Sequence, residues 1–567
     1  MKPLDIAFWQ GNPTVGDVGG NLARLVEYAR TLPPSVDLLM TPECYGTGYP
    51  IQDLALRPGF VAGFRRALEA LSARVVSGEV PPLLVGGPEE GTDLPHNAMF
   101  LLDRDGSVRV TRKHHLANSE VYDERRTFSP GGLPSPIPFR GWKLGVLICE
   151  DAWHGDVARA LAQEGADVLL CPNGSHFTDA KQERRRTMGR RTVAAVGLPF
   201  VYLNLCGGQD ELVFDGGSFV LDHAGRMLHE TGFVEQGFVV HLTSGYDGRT
   251  SLSVTLTDGR APHGQHEGGY PHERNERLYT ALVTGLRDYV DKTGFPGVLI
   301  GMSGGIDSAL TAAIAVDALG SARVTLVRMP AAWTSAQSMD DAQEASDMLG
   351  TRLLTIPIGS IVASLEEALG REVPVTGITA ENLQARARGT VLMGMSNATG
   401  LMVLSTGNKS EMTVGYSTLY GDMCGGFNAL KDVWKTDVFA LSAWRNTVCI
   451  AGCLGPVRVM PDSIITRPPS AELAPGQEDS HSLGSYDDLD MVLRLVIEDG
   501  MGAVAAAGEA SRRTGRDISE AYAEKVVALA SRAEYKRRQA PPGLVVGHRD
   551  YTKGWRLPLV NKAGIRQ

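Results

Sequence analysis

Val298-Leu299-Ile300 runs straight into Gly301-Met302-Ser303-Gly304-Gly305-Ile306-Asp307-Ser308. The first three residues read as an apolar strand, and 309–316 reads as the helix that leaves the turn. Strand, glycine-rich turn and helix together aim free backbone N–H groups and a helix N-terminus at an anion. Gly304 and Gly305 let the backbone approach a phosphate closely, and Ser303 and Ser308 add hydroxyl donors. Asp307 offers a carboxylate to a metal ion bound to that phosphate. The bland alternative is a plain glycine turn between strand and helix.

Working outward, the same alternation continues. A helix over 275–292 precedes the loop, with Leu278, Leu282, Leu286 and Val290 at four-residue steps. Beyond the loop, strands are expected at 324–329, 353–358 and 402–406, with helices over 336–349, 361–369 and 380–395 between them. Strands joined by crossover helices make a parallel, doubly wound sheet with ligands at the carboxyl ends of its strands. Polar segments collect at those ends: Thr406-Gly407-Asn408-Lys409-Ser410-Glu411, Gly415 to Asp422, Lys435-Thr436 and Pro468 to Leu473. Taken singly, Arg386 and Arg388 read as a solvated helix face, and Glu411 as a carboxylate at a helix N-terminus.

The chain has 567 residues, too many for one ordinary core, so two large domains are expected. A hydrophobic content of 43%, with 21% charged residues, describes a soluble globular protein. No run approaches the roughly 18 apolar residues that a membrane span needs, and no signal-peptide pattern opens the chain. The formal charge of −10 argues against nucleic acid as the main ligand. Seven scattered cysteines without CxxC spacing suit a reducing cytoplasm, one of them being a candidate nucleophile.

Between 4 and 244, short apolar strands alternate with helices and hairpins. Strands are expected at 6–9, 36–40, 144–148, 167–170 and 200–203, helices at 21–32 and 60–71, and hairpins turning at Asp105-Gly106 and Asp222 to Gly225. Hairpins mixed with crossover helices point to a layered α/β sandwich. Glu43, Lys113 and Cys149 stand at strand ends. A thiol needs a base or a positive charge to become a good nucleophile, a carboxylate can be that base, and a lysine can stabilise an oxyanion. Singly they also read as a strand-end carboxylate, a solvated charge and a packing thiol. His114-His115 reads as a surface pair, since no metal-ligand spacing surrounds it.

Together, Pro42-Glu43-Cys44-Tyr45-Gly46-Thr47-Gly48-Tyr49-Pro50, Lys113-His114-His115-Leu116 and Gly145 to Asp151 resemble the nitrilase (carbon–nitrogen hydrolase) superfamily. That resemblance implies an α-β-β-α sandwich with Glu43 as general base, Lys113 as oxyanion stabiliser and Cys149 as the thioester-forming nucleophile. Asn173-Gly174-Ser175 and Gly207 to Ser218 narrow it to the glutaminase domain fused to NAD synthetases, with Tyr49, Ser119, Glu124 and Ser175 around the glutamine. Ala117 departs from the family's Lys-x-x-Leu-Pro-Asn pattern, which has proline there.

Ser303 to Ser308 resembles the signature of the PP-loop ATP pyrophosphatases; a Walker A loop is excluded by the missing lysine after the second glycine. With the later segments, nearly all of 275–545 is similar to the synthetase domain of the NAD synthetase family. By that resemblance Gly301, Ser303, Gly304, Gly305, Ile306, Asp307, Ser308, Thr406, Lys435 and Ser470 bind ATP. Asn382, Arg386, Glu411, Asp422 and Lys536 face deamido-NAD, and Asp307 and Glu411 hold Mg²⁺.

The expected fold class is therefore α/β throughout. A nitrilase-type sandwich occupies 1–245, a connector rich in Gly, His, Asp and Pro occupies 246–270, and a Rossmann-like PP-loop domain with a parallel sheet occupies 271–567. The resemblance implies glutamine, ATP and deamido-NAD as substrates, no nucleic-acid or membrane partner, a homo-oligomer, and a shielded route for ammonia. Another PP-loop amidotransferase and a non-catalytic nucleotide sensor are the rival readings.

Overall fold

The computed structural model describes residues 2–245, 249–257, 269–474 and 476–561. The chain divides into two compact units, Met1–His272 and Glu273–Gln567.

The first unit is built on two large sheets, with a two-stranded ribbon of Cys206–Gln209 and Leu212–Asp215 beside them. Seven strands lie side by side in the order Thr250–Leu256, Gln236–Ser244, Leu4–Gln10, Leu38–Met40, Leu83–Glu89, His96–Leu102 and Val108–Arg112. Six more form the second sheet: Met227–Glu230, Phe219–Leu221, Phe200–Asn204, Val168–Asn173, Trp142–Val146 and Ile137–Phe139. The period of two decides which residues face inward. Leu4, Ile6 and Phe8 enter a shared core with Leu144, Val146, Val168, Leu170 and Val201 of the other sheet. Trp9, on the opposite face, stacks on Tyr28 of the helix Val18–Thr31, with ring centroids 3.9 Å apart. Helices Gly155–Gln163 and Lys181–Val196 cover the outer face of the second sheet through Val157, Leu161, Met188 and Val193. The layers are α-β-β-α, as the resemblance implied.

Part of the segment read as a connector is strand. Thr250–Leu256 pairs antiparallel with Gln236–Ser244, Phe238 opposite Leu256 and Val240 opposite Val254. Leu252 and Val254 alternate with serine and threonine and pack on the core, a signal that the polar residues around them obscure. Of the rest of that connector, 246–248 and 258–268 lie outside the described residues.

The second unit carries a five-stranded sheet in the order Arg352–Thr355, Val324–Arg328, Val298–Gly301, Met402–Ser405 and Phe427–Asn428, all neighbours parallel. The first strand in the chain lies in the middle, flanked by the second and the fourth, which places the topological switch point directly above Gly301 and Ser405. The strand expected to reach 358 stops at Thr355; Pro357 has no N–H to give a ladder.

Every residue of the helix Ile306–Leu319 except Asp307 is buried, as expected of one that is largely apolar on every side. Its one inner carboxylate, Asp317, is matched by Arg445 at 2.7 and 3.0 Å, by the Tyr279 hydroxyl at 2.6 Å and by the Gly455 N–H at 3.1 Å. Five cysteines are free, but Cys449 and Cys453 form a disulfide that scattered spacing does not announce. Among the described residues, no helix is long and apolar enough to cross a membrane.

Candidate active sites

In the first unit the chemistry sits where strands of both sheets end. Glu43 follows the strand Leu38–Met40, Lys113 follows Val108–Arg112, and Cys149 opens a short 3₁₀ turn, Cys149–Trp153, after Trp142–Val146. The side chains of Glu43 and Lys113 are fully buried. Glu43 Oε1 accepts from Lys113 Nζ and from Asn97 Nδ2, each at 2.7 Å, and Oε2 accepts from the Gly174 N–H at 2.8 Å. Lys113 Nζ also lies 2.7 Å from Glu124 Oε2. Glu124 in turn accepts from Asn97 Nδ2 at 2.9 Å, the Tyr49 hydroxyl at 3.1 Å and the Ala117 N–H at 2.7 Å. Proline in place of Ala117 could not supply that last bond, so the departure from the family pattern adds a donor to Glu124.

Gly174 is required where it stands: a Cβ there would lie 2.5 Å from the Tyr49 ring and 3.3 Å from Glu43 Oε2. Cys149 has φ 48°, in the left-handed region that non-glycine residues rarely occupy. Burial pushes its thiol well above the ordinary value and Glu43 adds to this, against the opposing charge of Lys113. Burial also raises Glu43, opposed by Lys113. For Lys113, burial works downward, but Glu124 and Glu43 outweigh it and hold the ammonium well above its usual range.

Of the residues expected around glutamine, Tyr49 and Glu124 join this network. Ser175 lies on the same wall: its N–H donates to Asn204 Oδ1 at 2.9 Å and its hydroxyl accepts from Arg185 Nε at 3.2 Å. Ser119 does not join; it is exposed, and its described bond is through its carbonyl, which accepts the Tyr122 N–H at 3.1 Å. Three contributors escaped the sequence. Asn97 joins both glutamates, Tyr122 donates to the Gly174 carbonyl at 2.7 Å, and the fully buried Arg185–Asp215 pair, 2.8 Å apart, braces Ser175.

The second unit holds a cavity of about 450 Å³ at the switch point of its sheet. Gly301, Ser303, Gly305, Ile306, Asp307 and Ser308 line it, with Thr406, Lys435 and Ser470. Within the loop, Ser308 Oγ lies 3.1 Å from Ser303 Oγ and donates to the Gly305 carbonyl at 2.9 Å, which fixes the turn. Gly304 differs from its neighbours. It has φ +80°, and a Cβ there would lie 2.3 Å from the Ser338 carbonyl, so its glycine serves packing beneath the cavity rather than the lining.

Lys435 Nζ bridges two carboxylates, Asp307 Oδ2 at 2.5 Å and Glu411 Oε1 at 3.1 Å. Burial raises Glu411 to about 7, Lys435 opposing and Asp307 reinforcing the shift. Asn382, Asp422 and Lys536 line the opposite side. Asn382 Oδ1 accepts from the Thr418 hydroxyl at 2.8 Å, and Asp422, raised to about 6 by burial, accepts the Thr418 N–H at 2.6 Å. Lys536 Nζ donates to the Gly415 and Ser417 carbonyls at 2.7 and 2.6 Å. Arg386 is exposed and is not among the lining residues, whereas Arg388, two residues on, is. Two residues are about 200° apart on a helix, so both cannot face one cavity. Arg467 and Glu472 also line it; Glu472 accepts from the Ser335 and Ser338 hydroxyls, each at 2.8 Å.

Comparison with known proteins bears on both units. Residues 5–243 match the carbon-nitrogen hydrolase family model and residues 278–540 the NAD synthase model. The chain is 40% identical to the glutamine-dependent NAD(+) synthetase of Rhodobacter capsulatus, over 98% of each chain. It is 38% identical to that of Thermotoga maritima, over 99% of each. A solved glutamine-dependent NAD+ synthetase from Acinetobacter baumannii, in complex with adenosine diphosphate, superposes with a TM-score of 0.74 at 36% identity and 99% coverage of both chains. With likeness of this extent running through both halves, the chain belongs to the glutamine-dependent NAD(+) synthetase family.

Proposed function

We propose that this chain amidates deamido-NAD⁺ to NAD⁺, using nitrogen from glutamine and activation by ATP. The observation that carries the reading is the presence, in one chain, of a buried Glu43–Lys113–Cys149 cluster and an open cavity in which the Ser303–Ser308 loop, carrying Asp307, faces Glu411 and Lys435.

In the first site Cys149 Sγ attacks the carboxamide carbon of glutamine as Glu43 takes the thiol proton. Burial strengthens Glu43 as a base and keeps Cys149 protonated until that moment. The Lys113 ammonium stabilises the oxyanion. Glu43 returns the proton to the leaving nitrogen, ammonia departs, and water activated by Glu43 hydrolyses the thioester to glutamate.

In the second site a nicotinate carboxylate oxygen of deamido-NAD⁺ attacks the α-phosphorus of ATP and pyrophosphate leaves. The carboxylate needs this because, unactivated, it has no good leaving group. Ammonia then attacks the acyl carbon and AMP departs. Ser303, Ser308 and the N-terminus of the helix Ile306–Leu319 hold phosphate oxygens, and Lys435 balances their charge. Mg²⁺ fits the donor set: Asp307 and Glu411 both reach Lys435 Nζ and so stand close enough to share a cation beside it, and Asp479 Oδ1, on the same cavity, is buried without a hydrogen-bond partner among the described residues. Held by those oxygens, it would neutralise the phosphates as pyrophosphate leaves.

A cytoplasmic location and a homo-oligomeric state complete the proposal. The first rests on five of the seven cysteines being free thiols, with Cys449–Cys453 the exception, and the second on family resemblance, which sedimentation of the purified chain tests. The deciding experiment follows NAD⁺ formation from deamido-NAD⁺ and ATP–Mg²⁺ in wild type and Cys149→Ala, with glutamine or ammonium as donor. Loss of only the glutamine-driven reaction is expected; no NAD⁺ from either donor in wild type would overturn the reading.

A further inference from the structure

His114 and His115 follow Lys113 directly and take no part in the chemistry above. The sequence places no third ligand at a useful spacing, but the fold does. Helix Gly155–Gln163 starts just beyond the Cys149–Trp153 turn and brings Asp156 to His115, whose Nε2 lies 3.0 Å from both carboxylate oxygens. His114, His115 and Asp156 each offer one ligand atom, and those atoms all lie within 4.8 Å of one another.

The surroundings orient these groups. His114 Nδ1 lies 2.8 Å from the Gly131 carbonyl, which can only accept, so Nδ1–H donates there and Nε2 is the nitrogen left for a metal. Histidines that bind metals ordinarily donate their other N–H in this way. The His115 ring stacks on His154, with centroids 4.0 Å apart and planes 21° apart, and His154 Nε2 lies 3.5 Å from Glu150 Oε1. The backbone is fixed as well: the N–H groups of His114 and His115 donate to Asp151 Oδ1 at 3.1 and 2.7 Å, and Asp151 Oδ2 accepts the Ile148 N–H at 2.9 Å. The side chains of His115 and Asp156 are 26% and 46% exposed, so water can complete a coordination shell.

We propose that His114, His115 and Asp156 bind one divalent transition-metal ion of the Zn²⁺ class. Two imidazoles and a carboxylate select Zn²⁺, Co²⁺ or Ni²⁺ over Mg²⁺, which prefers oxygen ligands throughout. Small side-chain rotations bring the three ligand atoms to bonds of about 2.0–2.2 Å, with water in the fourth position. The ion takes the place of the direct contact between His115 Nε2 and Asp156.

The test uses the full chain, stripped with a chelator and titrated with Co²⁺ in excess Mg²⁺, which occupies all-oxygen sites. One equivalent should bind with visible d–d bands and without the intense ultraviolet band of thiolate ligation, and Zn²⁺ should displace it. Asp156→Asn and His115→Asn should each weaken binding at least about tenfold. Asp156→Glu should retain it, and Cys149→Ala should leave it unchanged. The proposal fails if no stoichiometric Co²⁺ binds, if the bands survive in His114→Asn/His115→Asn, or if they vanish with Cys149→Ala. The first of these failures would leave His115 and Asp156 as an ordinary ion pair.

Discussion

The two sites solve opposite electrostatic problems. In the first, Lys113 ties the buried Glu43 and Glu124 together by contacts of 2.7 Å, and Asn97 bridges the same two carboxylates at 2.7 and 2.9 Å. In the second, about 450 Å³ stands open, and Lys435 alone spans Asp307 and Glu411. A carboxamide arrives neutral, so its site must contain every charge the reaction needs and keep those charges paired in the dry interior. A nucleotide brings its own charges, so its site supplies space, backbone donors and counter-charge. Lys435 meanwhile occupies the cationic position between the carboxylates.

The sharpest way to separate the two is Cys149→Ala. Glutamine-driven synthesis should fall by at least about 10⁴-fold, while the ammonium-driven rate stays within about twofold, read by coupled NAD⁺ assay. Asp307→Asn should act in the other sense, lowering both reactions together by about 10²–10³-fold; a loss confined to glutamine would show that the sites are not divided as described. Asn97→Ala removes a donor shared by two carboxylates, about 1.5–3 kcal/mol per bond to a charged group. Glutamine-driven kcat/KM should fall by about 10–100-fold, with the ammonium reaction unchanged.

The pH dependence sharpens the contrast further. In the proposed role of base Glu43 must be ionised, and burial raises its pKa. Glutamine-driven kcat/KM should therefore be lost, as pH falls, above the ordinary glutamate value of about 4.3. An acid limb at that ordinary value would mean that burial does not govern Glu43. The smallest effect is expected for Ala117→Pro, which deletes one of several bonds to Glu124. A loss of a few-fold in glutamine turnover, with the melting temperature lower by only a few degrees, would fit a supporting bond.

Much of this arrangement was legible in the chain. Residues 298–308 announced strand, turn and helix because glycines and serines follow an apolar run, a pattern that favours a phosphate-binding turn over a plain glycine turn, and the parallel sheet followed from the spacing of strands around it. Glu43, Lys113 and Cys149 were readable only as a set, since each alone has an ordinary explanation. Asn97 was not readable at all: it stands at the start of a hairpin strand, and its use depends on two glutamates 54 and 27 positions away. Arg386 and Arg388 share one motif, and only the phase of the helix Ile378–Thr399 against the cavity tells them apart. Ser119 sits close to Lys113 in sequence but on an exposed turn.

The left-handed backbone of Cys149 sets stability against chemistry at a single residue. A side chain held at φ 48° carries a strain of about 1–3 kcal/mol that glycine would relieve. Directed evolution that selects on melting temperature alone would therefore be drawn to discard the thiol, and the resulting protein would be well folded, abundant and dependent on free ammonia. A screen for more robust forms has to make survival depend on glutamine, or it will enrich for the loss of the donor half.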